Sequence, residues 1–310
     1  MVPTITPNKS SRTSGTRDVL PRRGFRLQAR DAAIVEAVHR NRVLSTEQIA
    51  CLFFRTSDGE VSSQCRARLR HLARADLLHA AEQLQTKADG RRPYLYMLTA
   101  KGRDLLIEEL GYEPEEIDWQ PSYNDVSWPY LRHQIAINDV YVAVALDAER
   151  IGWRLDKWVD DRILRQVHTE RVLVPSTGQE VAVVPDAYFV LSGPTGSPTL
   201  QFFLEMDRAT MTVAAASRRT KSWQDKIRAY QAYFESSLVH QRYGTDRIRV
   251  LTVTSGSDRQ EHLRRATEEM GGRRRYWFTS VQALRAPQLL TRPIWSVASH
   301  DVPCELVSRL

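Results

Sequence analysis

The sequence has few cysteines and no long apolar run. Its three cysteines, Cys51, Cys65 and Cys304, are far apart, and an odd number without a close pair argues against both a disulfide framework and a zinc knuckle. No window approaches the roughly 18 consecutive apolar residues of a membrane span, and the N-terminus is polar and basic rather than signal-like. We therefore expect a cytoplasmic protein with free thiols and no membrane partner.

Two catalytic motifs are also missing. The chain has no histidine-x-histidine pair of the kind that metal-dependent relaxases and rolling-circle initiators use. It has no Gly-x-x-x-x-Gly-Lys loop, which would cradle the phosphates of a nucleoside triphosphate. Direct nicking through a tyrosine and ATP-driven strand opening are therefore not expected.

Basic charge is concentrated at the start of the chain. Residues 1–30 contain seven basic side chains and one acid, Asp18, which leaves +6 of the total net charge of +7. Because Ser, Thr, Pro and Gly are spread through this segment without periodicity, we expect residues 1–29 to be a disordered arm. Such an arm either neutralises DNA phosphates or only keeps the protein soluble.

The pattern over residues 30–110 predicts a winged helix-turn-helix domain. A helix begins near Asp31, and a second begins at Ser45, where Gln48 completes a capping box. A third helix is expected from about Val61 to Ala75, followed by a hairpin and a further helix from Thr99. The hairpin strands are predicted at Leu77–Leu84 and Pro93–Leu98, around an Asp89-Gly90 turn. This order of elements is that of a winged helix.

The third helix has the composition of a DNA recognition helix. No acid occurs between Val61 and Ala75, and its polar positions lie opposite an apolar stripe. Arginine and glutamine form bidentate hydrogen bonds with base edges, and serine binds phosphates. The expected DNA-binding residues on this helix and on the hairpin tip are Ser62, Ser63, Gln64, Arg66, Arg70, Lys87, Arg91 and Arg92.

A composition change divides the chain after this domain. Residues 111–126 contain several acids and two prolines but no Lys or Arg, and we interpret them as an acidic linker. Residues 127–298 then predict an α/β domain with an αβββαβ core, beginning with a long helix from Trp128 to Arg150. We expect residues 299–310 to form a C-terminal tail.

Two acidic positions in this second domain resemble the core of PD-(D/E)XK nucleases. Pro185-Asp186 is expected within one strand, and the next strand ends in Glu205-Met-Asp207. The resemblance implies that Asp186 and Glu205 hold Mg²⁺, but Asp207 occupies the position where that family has its catalytic lysine. Strand alternation places Glu205 and Asp207 on one face, so three carboxylates could converge on a metal ion.

A lysine on the following helix is the candidate replacement for the missing one. Lys226 lies at the edge of the predicted core stripe of that helix, whereas Lys221 falls on the opposite side. Lys226 either completes a catalytic set with Asp186 and Glu205 or is an edge residue whose ammonium group reaches solvent.

Over residues 28–296 the sequence resembles the replication-relaxation family of bacterial plasmids, phages and conjugative elements. The stretches that carry this resemblance are Leu131-Arg-His133 with Asn138-Asp139, "VPDAYFVL" with "FFLEMDRAT", Lys226 with Tyr230, and "YWFTSVQALRAPQLLTRPIW". The resemblance implies a winged-helix half that binds DNA and a nuclease-like half.

These observations predict a protein that binds double-stranded DNA and acts in replication control or DNA processing of a mobile element. Its nuclease-like domain is either a degenerate binding module or an active Mg²⁺-dependent endonuclease or nickase. A winged-helix transcriptional regulator is a third alternative, and a homodimer or a replication or mobilisation protein is the expected protein partner.

Overall fold

The computed structural model describes residues 26–55, 60–83, 92–167, 170–208, 212–213, 222–284 and 288–307. The chain divides into two compact units, Met1–Asn138 and Asp139–Leu310. In the described parts of the chain, no helix is both long and apolar enough to cross a membrane. The expected N-terminal arm lies largely outside these residues, as do Lys87 and Arg91.

The first unit combines helices with a small antiparallel sheet. Its elements are α1 Ala29–Asn41, β1 Val43–Ser45, α2 Thr46–Phe53, α3 Ser63–Arg74, β2 Leu78–Ala81, β3 Leu95–Leu98 and α4 Ala100–Leu110. The sheet has the order β1-β3-β2, and both neighbours of β3 are antiparallel to it. The sequence predicted the hairpin of β2 and β3, with longer strands, but not the short strand β1.

Capping interactions explain where the helices of this unit begin. Ser45 caps α2, and Gln48 returns a hydrogen bond to the Ser45 backbone, as the capping box predicts. Asp31 does not precede α1 as expected. It occupies the third position of that helix and accepts a hydrogen bond from the Gln28 amide at 2.7 Å, so the helix begins at Ala29, inside the predicted arm.

The predicted acidic linker packs onto the first unit. It forms two short 3₁₀ turns, Pro114–Glu116 and Pro121–Asn124, and Ile117 between them is buried in the same core as the helices α1 to α4. Helix α5, Trp128–Arg150, has the predicted bounds. Within the first unit, Leu131 of this helix packs against the outer face of the small sheet.

The second unit is built on a larger mixed sheet. Its elements are β4 Arg154–Asp160, α6 Asp161–Val167, β5 Val172–Val174, β6 Gln179–Val181, β7 Ala187–Ser192, β8 Leu200–Asp207, α7 Trp223–Glu235, α8 Leu238–Tyr243, β9 Ile248–Thr254, α9 Ser257–Glu269, β10 Tyr276–Ser280, α10 Val281–Leu284, β11 Trp295–Val297 and β12 His300–Cys304. The strand order is β12-β11-β10-β9-β8-β7-β4. Residues predicted as a C-terminal tail therefore include an edge strand, β12.

The faces of this sheet are covered by different helices. Phe203 of β8 lies near Tyr230 and Phe234 of α7, on the face that α9 also covers. Phe202 points to the other face and stacks on Phe189 of β7. Because side chains alternate along a strand, Glu205 and Asp207 lie on the α7 face with Phe203. This alternation decides which helices can reach the two acids.

Candidate functional site

Acidic residues collect at one edge of the large sheet. Strand β7 is antiparallel to both β4 and β8, whereas β8, β9 and β10 are parallel, so β4, β8, β9 and β10 end where β7 begins. Asp160 ends β4, Asp186 lies directly before β7 rather than within a strand as predicted, and Asp207 ends β8. Ligands of α/β sheets bind at such an edge, outside the carboxyl ends of the strands.

Glu205 is the most deeply placed of these acids. It is 2% exposed, and its two carboxylate oxygens have different partners on α7. The Lys226 ammonium donates to Oε2 at 2.5 Å, and the Tyr230 hydroxyl donates to Oε1 at 2.6 Å. Lys226 and Tyr230 are four residues apart, so one helix face presents both groups to the carboxylate.

Charge and burial oppose each other in this cluster. Burial raises the pKa of Glu205 above its ordinary value, and the neighbouring Asp186 carboxylate adds to this shift against the effect of Lys226. Burial alone would lower the pKa of Lys226, but Glu205 and Asp186 together raise it. Burial also raises the pKa of Tyr230, with a further contribution from Glu205. The raised pKa values of Lys226 and Tyr230 favour the ammonium group of the lysine and the neutral hydroxyl of the tyrosine.

Asp186 lies beside this pair, close enough to affect both of its members electrostatically. Its Oδ2 accepts a hydrogen bond from the Met206 amide at 2.7 Å, which fixes the carboxylate against β8. The structure thus brings Asp186, Glu205 and Lys226 together.

Asp207 has a separate cation. Arg259 of α9 donates to both of its carboxylate oxygens, at 2.9 and 3.1 Å, and the Thr254 hydroxyl donates to Oδ2 at 3.0 Å. Further along the edge, Asp160 pairs with Arg162 at 3.4 Å and accepts a hydrogen bond from the Ile163 amide. Glu205, Asp207 and Asp160 therefore each form an ion pair with a basic side chain.

A divalent metal ion at the predicted position would share its carboxylates with protein donors. Glu205 and Asp207 use both oxygens for protein donors, so neither presents a free oxygen pair. Among the described residues, no group of three or more His, Cys, Asp or Glu side chains is arranged to hold a metal ion. Mg²⁺ bound by Asp186, Glu205 and Asp207 would compete with Lys226 and Arg259 for carboxylate oxygens.

Sequence reasoning missed three members of this site. Tyr230 was named with Lys226 in the family resemblance but was given no role, and neither Arg259 nor Arg162 was considered. The spacing of Lys226 and Tyr230 was a usable signal for the first, because residues four apart share a helix face. Arg259 offered no comparable signal, because its partner Asp207 is 52 residues away along the chain.

In the first unit, α3 presents two arginines to solvent. Arg66 and Arg70 are exposed, and neither forms an ion pair within the described part of the chain; Arg70 Nε donates to the Arg66 carbonyl oxygen at 3.3 Å. Ser62 caps the helix by accepting a hydrogen bond from the Cys65 amide at 3.1 Å, and Ser63 and Gln64 are exposed in its first turn. The side chains of the predicted reading face are thus available to a ligand, apart from the capping oxygen of Ser62.

Arg68 differs from the other arginines of α3. Its guanidinium group donates twice to the buried carboxylate of Asp31 and once to the backbone oxygen of Arg26 at 2.9 Å. The Asp31 side chain has no exposed surface and that of Arg68 is 17% exposed. Arg68 therefore holds α3 against the start of α1, although its sequence position suggested a place on the basic face.

A groove of about 420 Å³ lies beside Arg66 and Arg70. It is enclosed by the start of α2, one side of α3 and the chain that leads into β3. Its lining residues are Thr46, Glu47, Val61, Arg66, Arg70, Arg92, Pro93, Tyr94 and Tyr96. The groove therefore brings Arg92, which the sequence analysis placed at the hairpin tip, together with two arginines of α3.

Comparison with known families gives one match. The family model described as replication-relaxation matches residues 35–247. Comparison with curated proteins and with solved structures finds no significant match. The matched range includes the groove beside α3 and the cluster of Asp186, Glu205 and Lys226, whereas Arg259 lies beyond it.

Proposed function

Because the chain belongs to the replication-relaxation family, we propose that it is a DNA-binding protein of a mobile genetic element, acting in replication control or DNA processing. In this proposal, residues 30–110 form a winged helix-turn-helix domain and residues 127–298 form a PD-(D/E)XK-like domain. Double-stranded DNA is the partner of the first domain.

The observation that carries this proposal is that the arginines of α3 differ in their contacts and exposure. Arg68 is used inside the fold, whereas Arg66 and Arg70 are exposed beside Arg92. The order from α1 to α4, with a three-stranded sheet, supports a winged helix in which α3 enters the major groove. Exposed guanidinium groups on such a helix bind guanine edges or phosphates.

For the second domain, we propose a nuclease-like fold whose acidic edge is neutralised by the protein itself. Lys226 and Arg259 supply the positive charge that a divalent ion would otherwise supply to Glu205 and Asp207. This pairing supports a binding or structural role for the domain, which leaves sequence recognition to α3.

The DNA-binding proposal predicts a selective effect of Arg66→Ala and Arg70→Ala. Each substitution should weaken binding to the preferred DNA site by roughly 1–3 kcal/mol if the side chain contacts a base, or lower the salt slope by about 1 if it contacts a phosphate. Fluorescence anisotropy with labelled duplex at several salt concentrations measures both effects.

Arg132→Ala is the matched control, because it removes the same charge from an exposed position on α5 that does not line the groove. It should leave affinity and salt slope unchanged. Equal affinity of wild type, Arg66→Ala and Arg70→Ala would remove α3 from the DNA contact.

A second candidate function, a Mg²⁺-dependent endonuclease or nickase, is favoured by the meeting of Asp186, Glu205 and Lys226. Incubation of supercoiled plasmid with the protein and Mg²⁺ or Mn²⁺ distinguishes the two. With a neutralised edge, wild type and Asp186→Ala should give the same low background of nicked plasmid. Nicking by wild type that disappears in Asp186→Ala would instead establish the enzyme.

A further inference from the structure

The groove beside α3 is larger than contact with a smooth DNA duplex requires. Its volume of about 420 Å³ lies within the roughly 300–1,000 Å³ typical of sites for small ligands. A phosphate or a base edge of intact duplex binds at an exposed helix face and does not need a recess of this volume. The space therefore suits a whole nucleotide.

Hydrogen bonds fix the walls of this groove. The Thr46 amide and hydroxyl donate to the Tyr94 carbonyl oxygen at 2.9 and 3.2 Å, which joins the start of α2 to the chain entering β3. The Gln83 side chain donates to the Pro93 carbonyl at 2.8 Å, and the Tyr94 hydroxyl donates to Glu82 at 2.8 Å. The half-buried Tyr94 ring is thereby held in place within the groove lining.

The lining combines the two kinds of group that a nucleotide needs. Arg66, Arg70 and Arg92 supply positive charge for a phosphate, and Glu47 is the one acid among the described residues that line the groove. Val61, Pro93, Tyr94 and Tyr96 supply apolar and aromatic surface. Proteins that hold single strands use this combination, in which a basic groove follows the backbone and aromatic rings stack on bases.

We propose that this groove binds one unpaired nucleotide of the DNA that α3 contacts, with the phosphate beside the arginines and the base against Tyr94. In intact duplex the faces of the bases are covered by their stacked neighbours, so only an unpaired base can use the tyrosine ring. The inference rests on the proposed DNA-binding function and adds to it a preference for DNA that is locally opened.

The test compares two labelled duplexes of one sequence, one fully paired and one with a single bulged 2-aminopurine. The full-length protein should bind the bulged duplex about tenfold more tightly than the paired duplex. Binding should also quench 2-aminopurine fluorescence, because the base stacks on an aromatic ring. Tyr94→Leu should abolish both the preference and the quenching while leaving affinity for paired duplex unchanged.

Two further variants and a competitor complete the design. Tyr94→Phe keeps the ring and should keep the preference, whereas Arg132→Ala should affect neither duplex. Free dTMP should compete with the bulged duplex only weakly. Effective competition at micromolar concentrations would mean that the groove binds a nucleotide, but a free one rather than one within DNA. The inference would be overturned if wild type bound the two duplexes equally, or if Tyr94→Leu lost the same affinity for both. Neither result would contradict duplex binding itself. Failure to bind either duplex would instead reject the DNA-binding proposal.

Discussion

Lys226→Met should destabilise the second unit by roughly 3 kcal/mol, because it leaves the buried Glu205 carboxylate without a cation. Breaking a buried ion pair typically costs about 3–5 kcal/mol. We expect the lower end, since 28% of the Lys226 side chain is exposed and water partly replaces it. Calorimetry of the full chain, with hydrogen exchange of peptides from β8 and α7, measures this loss locally.

The loss should depend on pH in a defined direction. Because burial raises the pKa of Glu205 in the folded state, the charged form is disfavoured there relative to the unfolded chain. Stability of Lys226→Met should therefore fall as pH rises from the ordinary glutamate pKa of 4.5 through the raised folded value. At lower pH, Glu205 is protonated and needs no cation, so the difference from wild type should shrink.

A double substitution separates charge from packing. Glu205→Gln combined with Lys226→Met removes both charges and should recover most of the lost stability, which Lys226→Met alone cannot do. Millimolar Mg²⁺ should raise the melting temperature of Lys226→Met more than that of wild type, because the ion can replace the missing ammonium group. A Lys226→Met protein as stable as wild type at neutral pH would show that the lysine does not compensate Glu205.

Arg68→Ala should destabilise the first unit by about 3–5 kcal/mol, whereas Arg66→Ala, two residues earlier, should change stability by less than about 0.5 kcal/mol. Asp31 has no exposed side-chain surface, so removal of its guanidinium partner leaves a buried carboxylate uncompensated. The substitution also removes the hydrogen bond to the Arg26 carbonyl. Thermal unfolding and hydrogen exchange of peptides from α1 and α3 measure both variants.

DNA binding and stability together distinguish the roles of Arg66 and Arg68. Arg66→Ala should weaken binding in a folded protein, and Arg68→Lys, which keeps charge but not the paired geometry, should retain part of the stability. Equal stability of Arg68→Ala and Arg66→Ala would contradict the structural role of Arg68.

Local patterns in the sequence predicted much of the fold. The capping box of Ser45 and Gln48 identified the start of α2, and the bounds predicted for α5 agree with the structure. Short elements were missed: β1 has three residues and exists because β3 pairs with it, and β12 exists because β11 does. The three residues of β1 are too few to show alternation.

The candidate site was also predicted only in part, because some of its members come from distant parts of the sequence. Asp186 and Glu205 were identified from the resemblance to the PD-(D/E)XK core, and Lys226 from its position at the edge of the core stripe. The partner of Asp207 could not be identified, because Arg259 reaches it from a helix that follows a different strand. The expected trio of carboxylates therefore became separate acid–cation pairs.

By itself, the sequence indicated most of the longer helices and which side chains carry charge, because capping and periodicity depend on neighbours a few residues apart. Only the tertiary structure decided what those charges do. On α3, Arg66 and Arg68 belong to the same acid-free helix, but the approach of α1 brings Asp31 to one and leaves the other exposed. A buried carboxylate requires a cation within hydrogen-bond distance, and that distance is set by how helices pack rather than by their separation along the chain.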